Sequence, residues 1–197
     1  MIRCQNLTEA ELAEIGAQIA HGFLAEEGCF SVLPAEAAEK LFTLIVTTCY
    51  ETGHLYTTGE NREGFCVYWT KKERPGAWVQ LKMGMKMAKI LPLKAGIRMK
   101  NSQNCWKPTE KRYAKRDDFV EVFLLAVRTE YQGQGHFRRM LEEAFSLAQQ
   151  RGTICVLDTD SRTKADKYVH VGMQVVEQKT QRSGVTMYAL EWRPEAP

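Results

Sequence analysis

The stretch Phe119 to Val127 (FVEVFLLAV) narrows the choice of fold more than any other part of the chain. It is apolar almost without interruption, so it lacks the in–out alternation of a strand with one wet face. A run of this kind reads as a central strand covered on both faces. A glycine-containing turn follows, and then Phe137, Met140, Leu141, Ala144, Phe145 and Ala148 fall on one helical stripe. Gly152 stops that helix, and Thr153 to Leu157 read as a second buried strand. Strand, helix and strand make a βαβ unit over 119–157. A short helix then runs to Gly172, and strands at 173–179 and 185–193 flank Arg182-Ser183-Gly184 as a hairpin. A parallel unit closed by an antiparallel pair gives an α/β fold, a central mixed sheet flanked by helices.

The N-terminal half carries its own punctuation. Residues 2–6 read as a short strand. Thr8-Glu9-Ala10-Glu11 is a capping box, with Leu7 and Leu12 placed as its hydrophobic staple. Leu12, Ile15 and Ile19 continue at helical spacing, so a helix is expected from 9 to 22. A second begins after Pro34, shows Leu41, Leu44, Ile45 and Thr48 on one face, and stops at Gly53. Strands at 54–58 and 64–70 enclose a turn at 59–63. Residues 77–90 read as a helix with Lys82, Lys86 and Lys89 on one side, ended by Pro92. The stretch 93–116 carries eight Lys or Arg against the single Glu110, a net of +7. It reads as a long basic connection, either a solvated loop or a flap near an anionic cofactor or partner.

At 197 residues the size prior gives one domain spanning 1–197. A net charge of +3 is too mild to mark a nucleic-acid binder. The six cysteines (4, 29, 49, 66, 105 and 155) form no CxxC pair and no Cys/His cluster at ligand spacing, so no metal is expected. No apolar run approaches the ~18 residues of a membrane span, and the first residues show no signal-sequence pattern. Free thiols in a reducing, cytoplasmic setting are expected, with no membrane partner.

The chemistry concentrates in the turn Tyr131-Gln132-Gly133-Gln134-Gly135-His136-Phe137. Free amides and the positive dipole end at a helix N-terminus make a site for phosphate. Glycines there let a ligand approach the backbone. His136, Arg138 and Arg139 add positive or titratable groups. A lone GxG would serve several nucleotide-binding folds, or a plain tight turn.

The run FLLAVRTEYQGQGHFRRMLEEAF resembles the cofactor-binding motif of the GNAT superfamily of acyl-CoA-dependent N-acetyltransferases, written Q/R-x-x-G-x-G/A. Gln132, Gly133, Gln134 and Gly135 match its first four positions. Downstream, VLDTDSRTKADKYVHVGMQVVEQ is similar to the family's strand, short helix and Tyr-x-x-x-Gly-Phe, with Tyr168 and Gly172 on the Tyr and Gly. The resemblance covers 119–178. Three residues depart from the pattern: Phe137 replaces the small residue that closes the motif, Met173 replaces Phe, and Lys164 stands where related sequences often carry Asn.

The resemblance implies a GNAT-like fold that holds acetyl-CoA where two parallel strands splay apart. The backbone of Leu125, Ala126 and Val127 would bond the pantetheine arm. Gln132, Gly133, Gln134, Gly135, His136, Phe137 and Arg138 would surround the pyrophosphate. It implies transfer of an acyl group, acetyl foremost, from acyl-CoA to a primary amine of a small molecule or peptide. Tyr168 would be the acid directed at the CoA sulfur. Glu121, the one charge inside the apolar strand, resembles the glutamate used as base in the histone acetyltransferase branch. It is read on the same face as Phe119, Phe123 and Leu125.

Blander readings stand beside these. Tyr168 suits an amphipathic helix packing on a sheet, and Glu121 suits a strand-start residue paired with a basic side chain of 111–116. Asp158 and Asp160 read as helix caps or turn formers. His21, His54 and His170 read as surface or core residues, and Cys155 as core. Two other functions compete. A dinucleotide-binding βαβ unit would use Asp158, but Arg138 replaces its third glycine and no second half follows. A non-catalytic acyl-CoA sensor on the same fold is favoured by Phe137 and Lys164. The Lys/Arg excess around 71–116 argues against a strongly cationic acceptor, and a homodimer is left open.

Overall fold

The computed structural model describes residues 1–26, 28–97, 112–181 and 184–194. The first strand, β1 (Ile2–Arg3), is shorter than the 2–6 expected, and Asn6 turns away with a φ of 54°. Thr8 then caps α1 (Glu9–Leu24). Its hydroxyl accepts from the Glu11 N–H at 3.3 Å, and Glu11 accepts from the Thr8 N–H at 2.8 Å. The capping box is therefore reciprocal. Next comes α2 (Ala35–Glu51), which α1 approaches closely at Gly16. A Cβ there would lie 2.5 Å from Thr43 Cα, so only glycine permits this spacing.

The elements that follow are β2 (Leu55–Thr57), β3 (Gly64–Thr70), α3 (Ala77–Ile90), β4 (Val120–Val127), α4 (His136–Gln150), β5 (Cys155–Thr159), α5 (Arg162–His170), β6 (Gln174–Thr180) and β7 (Thr186–Trp192). One seven-stranded sheet takes the order β1-β2-β3-β4-β5-β7-β6. Among the described residues only β4 and β5 pair in parallel; every other neighbouring pair is antiparallel.

The central position of β4 explains its apolar run. On one face Leu124 joins Leu41, Phe42 and Val46 of α2 with Phe65, Val67 and Trp69 of β3. On the other, Val120 and Val122 join Met140, Leu141 and Ala144 of α4. Both faces are packed along most of the strand, so no alternation is selected. Among the described residues, no helix is long and apolar enough to cross a membrane.

Several expectations are corrected. β5 begins two residues late, which puts Asp158 inside the strand, opposite Ala189. The α5 cap is Ser161, whose hydroxyl accepts from the Lys164 N–H at 3.4 Å, so neither aspartate caps it. The basic stretch is not a plain loop, since residues 93–97 are helical. Tyr113 is buried with Phe119, Ile154 and Val156, and its hydroxyl donates to Glu191. The part of that stretch at 98–111, and hairpin residues 182 and 183, lie outside the described residues.

Candidate active site

The site begins with an irregularity in β4. Val67 of β3 pairs with Leu124 but Tyr68 pairs with Val122, so Phe123 is an extra residue, a β-bulge. The bulge reverses the alternation. Glu121 lies opposite Trp69 and shares a face with Leu124, whereas Leu125 crosses to the α4 side with Val122. Glu121 and Leu125 therefore do not share the face that simple alternation predicts.

A bulge bends its strand and adds twist, and here it coincides with a parting of strands. β4 and β5 pair only at Val120–Cys155 and Glu121–Val156. Beyond that point β5 continues along β7, and β4 continues along β3 as far as Val127. Among the described residues, the facing edges of 122–127 and 157–159 thus have no ladder partner on that side. Both edges line one cleft of about 2180 Å³. Small-ligand sites usually measure ~300–1,000 Å³, so this cleft has room for a long cofactor and an acceptor together.

At its mouth the turn holds Gly133 at φ 76° and Gly135 at φ 86°, a region that favours glycine. A Cβ at either would meet nothing within 4 Å, so the approach to the backbone is open. Gly135 precedes α4 and supplies no side-chain cap. The first amides of this 15-residue helix are left for an anion. The buried Nδ1 of His136 has no hydrogen-bond partner among the described residues. These groups fit a pyrophosphate, and the unpaired β4 edge fits the amides of a pantetheine arm.

The expected binding residues divide by position. Leu125, Ala126, Val127, Gln132, Gly133, Gly135, His136, Phe137 and Arg138 line the cleft. Gln134 does not; its side chain turns back to the Glu130 carbonyl at 3.1 Å and braces the turn. Gln132 similarly reaches the Val127 carbonyl at 3.4 Å. Phe137 fills the place of a small residue without closing the turn, because its half-buried ring packs on the core, 5.2 Å from the Tyr168 ring.

Tyr168 also lines the cleft, and its hydroxyl makes no hydrogen bond to the described residues. Burial, with smaller contributions from Cys66, Asp160 and Glu26, pushes its phenol above the ordinary range. It is a protonated, uncommitted donor.

Glu121 is occupied. Its Oε2 accepts from Trp69 Nε1 and Arg74 Nε, each at 2.7 Å, and its Oε1 accepts from a second Arg74 nitrogen at 2.9 Å. The partner is Arg74, outside the 111–116 segment. A carboxylate has about four acceptor sites, so one remains on Oε1.

Sequence reasoning missed Arg74, Trp69 and a cluster around Lys164. The Lys164 ammonium lies 3.1 Å from Asp160 Oδ1, 3.9 Å from Glu26 Oε2 and 4.6 Å from the Phe23 ring centroid. Asp160 Oδ2 also accepts the Cys29 N–H at 2.7 Å. The chain between α1 and α2 is thereby tied to the start of α5. The four-residue spacing of Asp160 and Lys164 was a readable signal; the pairing of Arg74 with Glu121 left none.

A mixed sheet whose central parallel strands part at a bulge, with a glycine turn and helix start at the opening, is the GNAT N-acetyltransferase fold. Solved structures agree over nearly the full chain. Arylalkylamine N-acetyltransferase 2 from Aedes aegypti is similar with a TM-score of 0.60 and 11% identity, over 95% of this chain and 96% of that one. An N-acetyltransferase from Staphylococcus aureus Mu50 gives 0.56 and 18%, over 97% and 99%. The polyamine N-acetyltransferase of Drosophila melanogaster gives 0.56 and 14%, over 96% and 98%. No family model matches the sequence, and no curated protein does.

Proposed function

We propose that the chain transfers an acyl group, acetyl foremost, from acyl-CoA to the primary amine of a small molecule or peptide. The observation that carries this reading is the unpaired β4 edge, which opens into the same cleft as the start of α4 and the free hydroxyl of Tyr168. The backbone at 125–127 would hold the pantetheine arm, and the amides from Gly133 to Arg138 the pyrophosphate. When bound, acetyl-CoA supplies an activated carbonyl with a thiolate as leaving group. Tyr168 holds its proton at Oη and donates it as negative charge develops on the departing sulfur. Glu121 takes the amine proton through the free lone pair of Oε1, directly or across one water, while Arg74 and Trp69 hold the carboxylate still.

The test is calorimetry with CoA and with NAD(H). Binding of CoA and not of NAD(H) supports the assignment; the reverse overturns it. A second reading, a non-catalytic acyl-CoA sensor, has on its side the three bonds that already engage Glu121. Cofactor binding without turnover on a broad amine panel would select it.

A further inference from the structure

The acceptor half of the cleft has a composition that the proposed reaction does not require. Phe23, Phe30 and Phe42 pack ring on ring there, with centroids 4.8 to 5.6 Å apart. Trp69 and Phe123 form a second aromatic pair at 4.9 Å. Phe123 is the bulge residue of β4, yet it is 40% exposed in the middle of a central strand. All five rings line the cleft, and α3 adds Val79, Met83 and Met87 opposite them. A helix with no buried residue presents this apolar side to the trough.

The charges point the same way. Three carboxylates that line the cleft here are already matched by cations, Asp160 by Lys164 at 3.1 Å among them. Glu121 is bonded by Arg74 at 2.7 Å, and Glu26 by Lys167 at 3.2 Å with Lys164 at 3.9 Å. Glu39 on α2 lines the cleft and is exposed; among the described residues it has no ionic partner. An acceptor with several ammonium groups needs several unmatched carboxylates along its length. Otherwise it leaves charges desolvated against aromatic walls. An amine with one cationic end and an apolar body needs one attracting carboxylate and an apolar trough.

We infer that the acceptor is a monoamine with an apolar body of aromatic size, and that polyamines and strongly basic peptides are excluded. This rests on the acyl-transfer reading for the reaction, but the trough makes the choice of ligand independently of turnover. Phe23, Phe30 and Phe123 with the α3 side chains receive the body, backed by the buried rings of Phe42 and Trp69, and Glu39 draws in the ammonium end.

The experiment uses the full chain loaded with CoA and two probes, 2-phenylethylamine and spermidine. Binding is followed by calorimetry, and acetylation is followed separately with acetyl-CoA. A misfit group in an apolar pocket is worth about 10–200-fold, so phenylethylamine should bind at least about tenfold tighter than spermidine. Its kcat/KM should be about a hundredfold higher. Met83→Glu adds a carboxylate to the trough on a helix with no buried residue, so folding should survive. That variant should lower the phenylethylamine-to-spermidine ratio by about tenfold or more. Equal or tighter binding of spermidine, or no binding of phenylethylamine, overturns the inference whatever the turnover. Phenylethylamine binding without acetylation supports the acceptor class and counts against the acyl-transfer reading instead.

Discussion

Replacing Tyr168 by Phe removes one oxygen from the cleft and leaves the ring against Phe137, 5.2 Å away. The hydroxyl makes no hydrogen bond to the described residues, so no structural bond is lost with it. Stability should stay within about 0.5 kcal/mol of the parent. Turnover should not. A single donor aimed at developing charge is worth about 10²–10³ in kcat, or roughly 2.7–4 kcal/mol. That donation matters only as charge appears on the sulfur, so CoA affinity should barely change. The pH behaviour follows from burial, which raises the phenol above its ordinary range. A raised pKa keeps the proton on Oη beyond the usual ~10, so the variant's deficit should be constant from roughly pH 6 to 9. Steady-state release of free thiol gives kcat, calorimetry gives the CoA affinity, and urea unfolding checks the fold. A well-folded Tyr168→Phe protein with full kcat would refute the reasoning, as would a loss confined to CoA binding.

Three further outcomes are expected. Glu121→Gln should lower kcat/KM by about 10²–10⁴-fold. The deficit should shrink as pH rises toward the amine's own pKa, and a pH-independent deficit would leave Glu121 the task of holding Arg74 and Trp69. Phe137→Ala should destabilise the protein by somewhat less than the ~3–5 kcal/mol of a fully buried ring, with the turn's path kept; an unchanged urea midpoint would place that ring outside the packing. Glu11 is held at a pKa of about 2 by the Thr8 N–H and then by Arg62. Its folded pKa lies below the unfolded one, so its contribution is complete above about pH 4.3 and is lost as pH falls toward 2. Glu11→Gln should flatten that part of the acid limb, and parallel acid curves for parent and variant would show that this cap does not respond to pH.

Much of the frame was readable because local patterns set it. The Thr8 capping box fixed where α1 begins, and the stripe from Phe137 to Ala148 set the buried side of α4. The almost uninterrupted apolar run of β4 marked a central strand, since packing on both faces removes alternation. The glycines at 133 and 135 marked a turn that requires positive φ. These are properties of neighbours along the chain, or of periodicity within one element. What the sequence could not show depends on partners far apart in it. Nothing in FVEVFLLAV announces a bulge at Phe123, because a bulge is a mismatch of register with β3 and has no residue signature of its own. That one extra residue separates Glu121 from Leu125 across the sheet, and it coincides with the parting of β4 from β5. Arg74 meets Glu121 across 47 residues, and Cys29 meets Asp160 across 131. The sequence by itself determined most element types, the central strand and the glycine turn before α4, all of which are set by local backbone preference and burial period. The tertiary structure alone decided the opening of the cleft, the occupied state of Glu121 and the aromatic lining of the cleft, because each arises where strands and loops distant in sequence are packed into register.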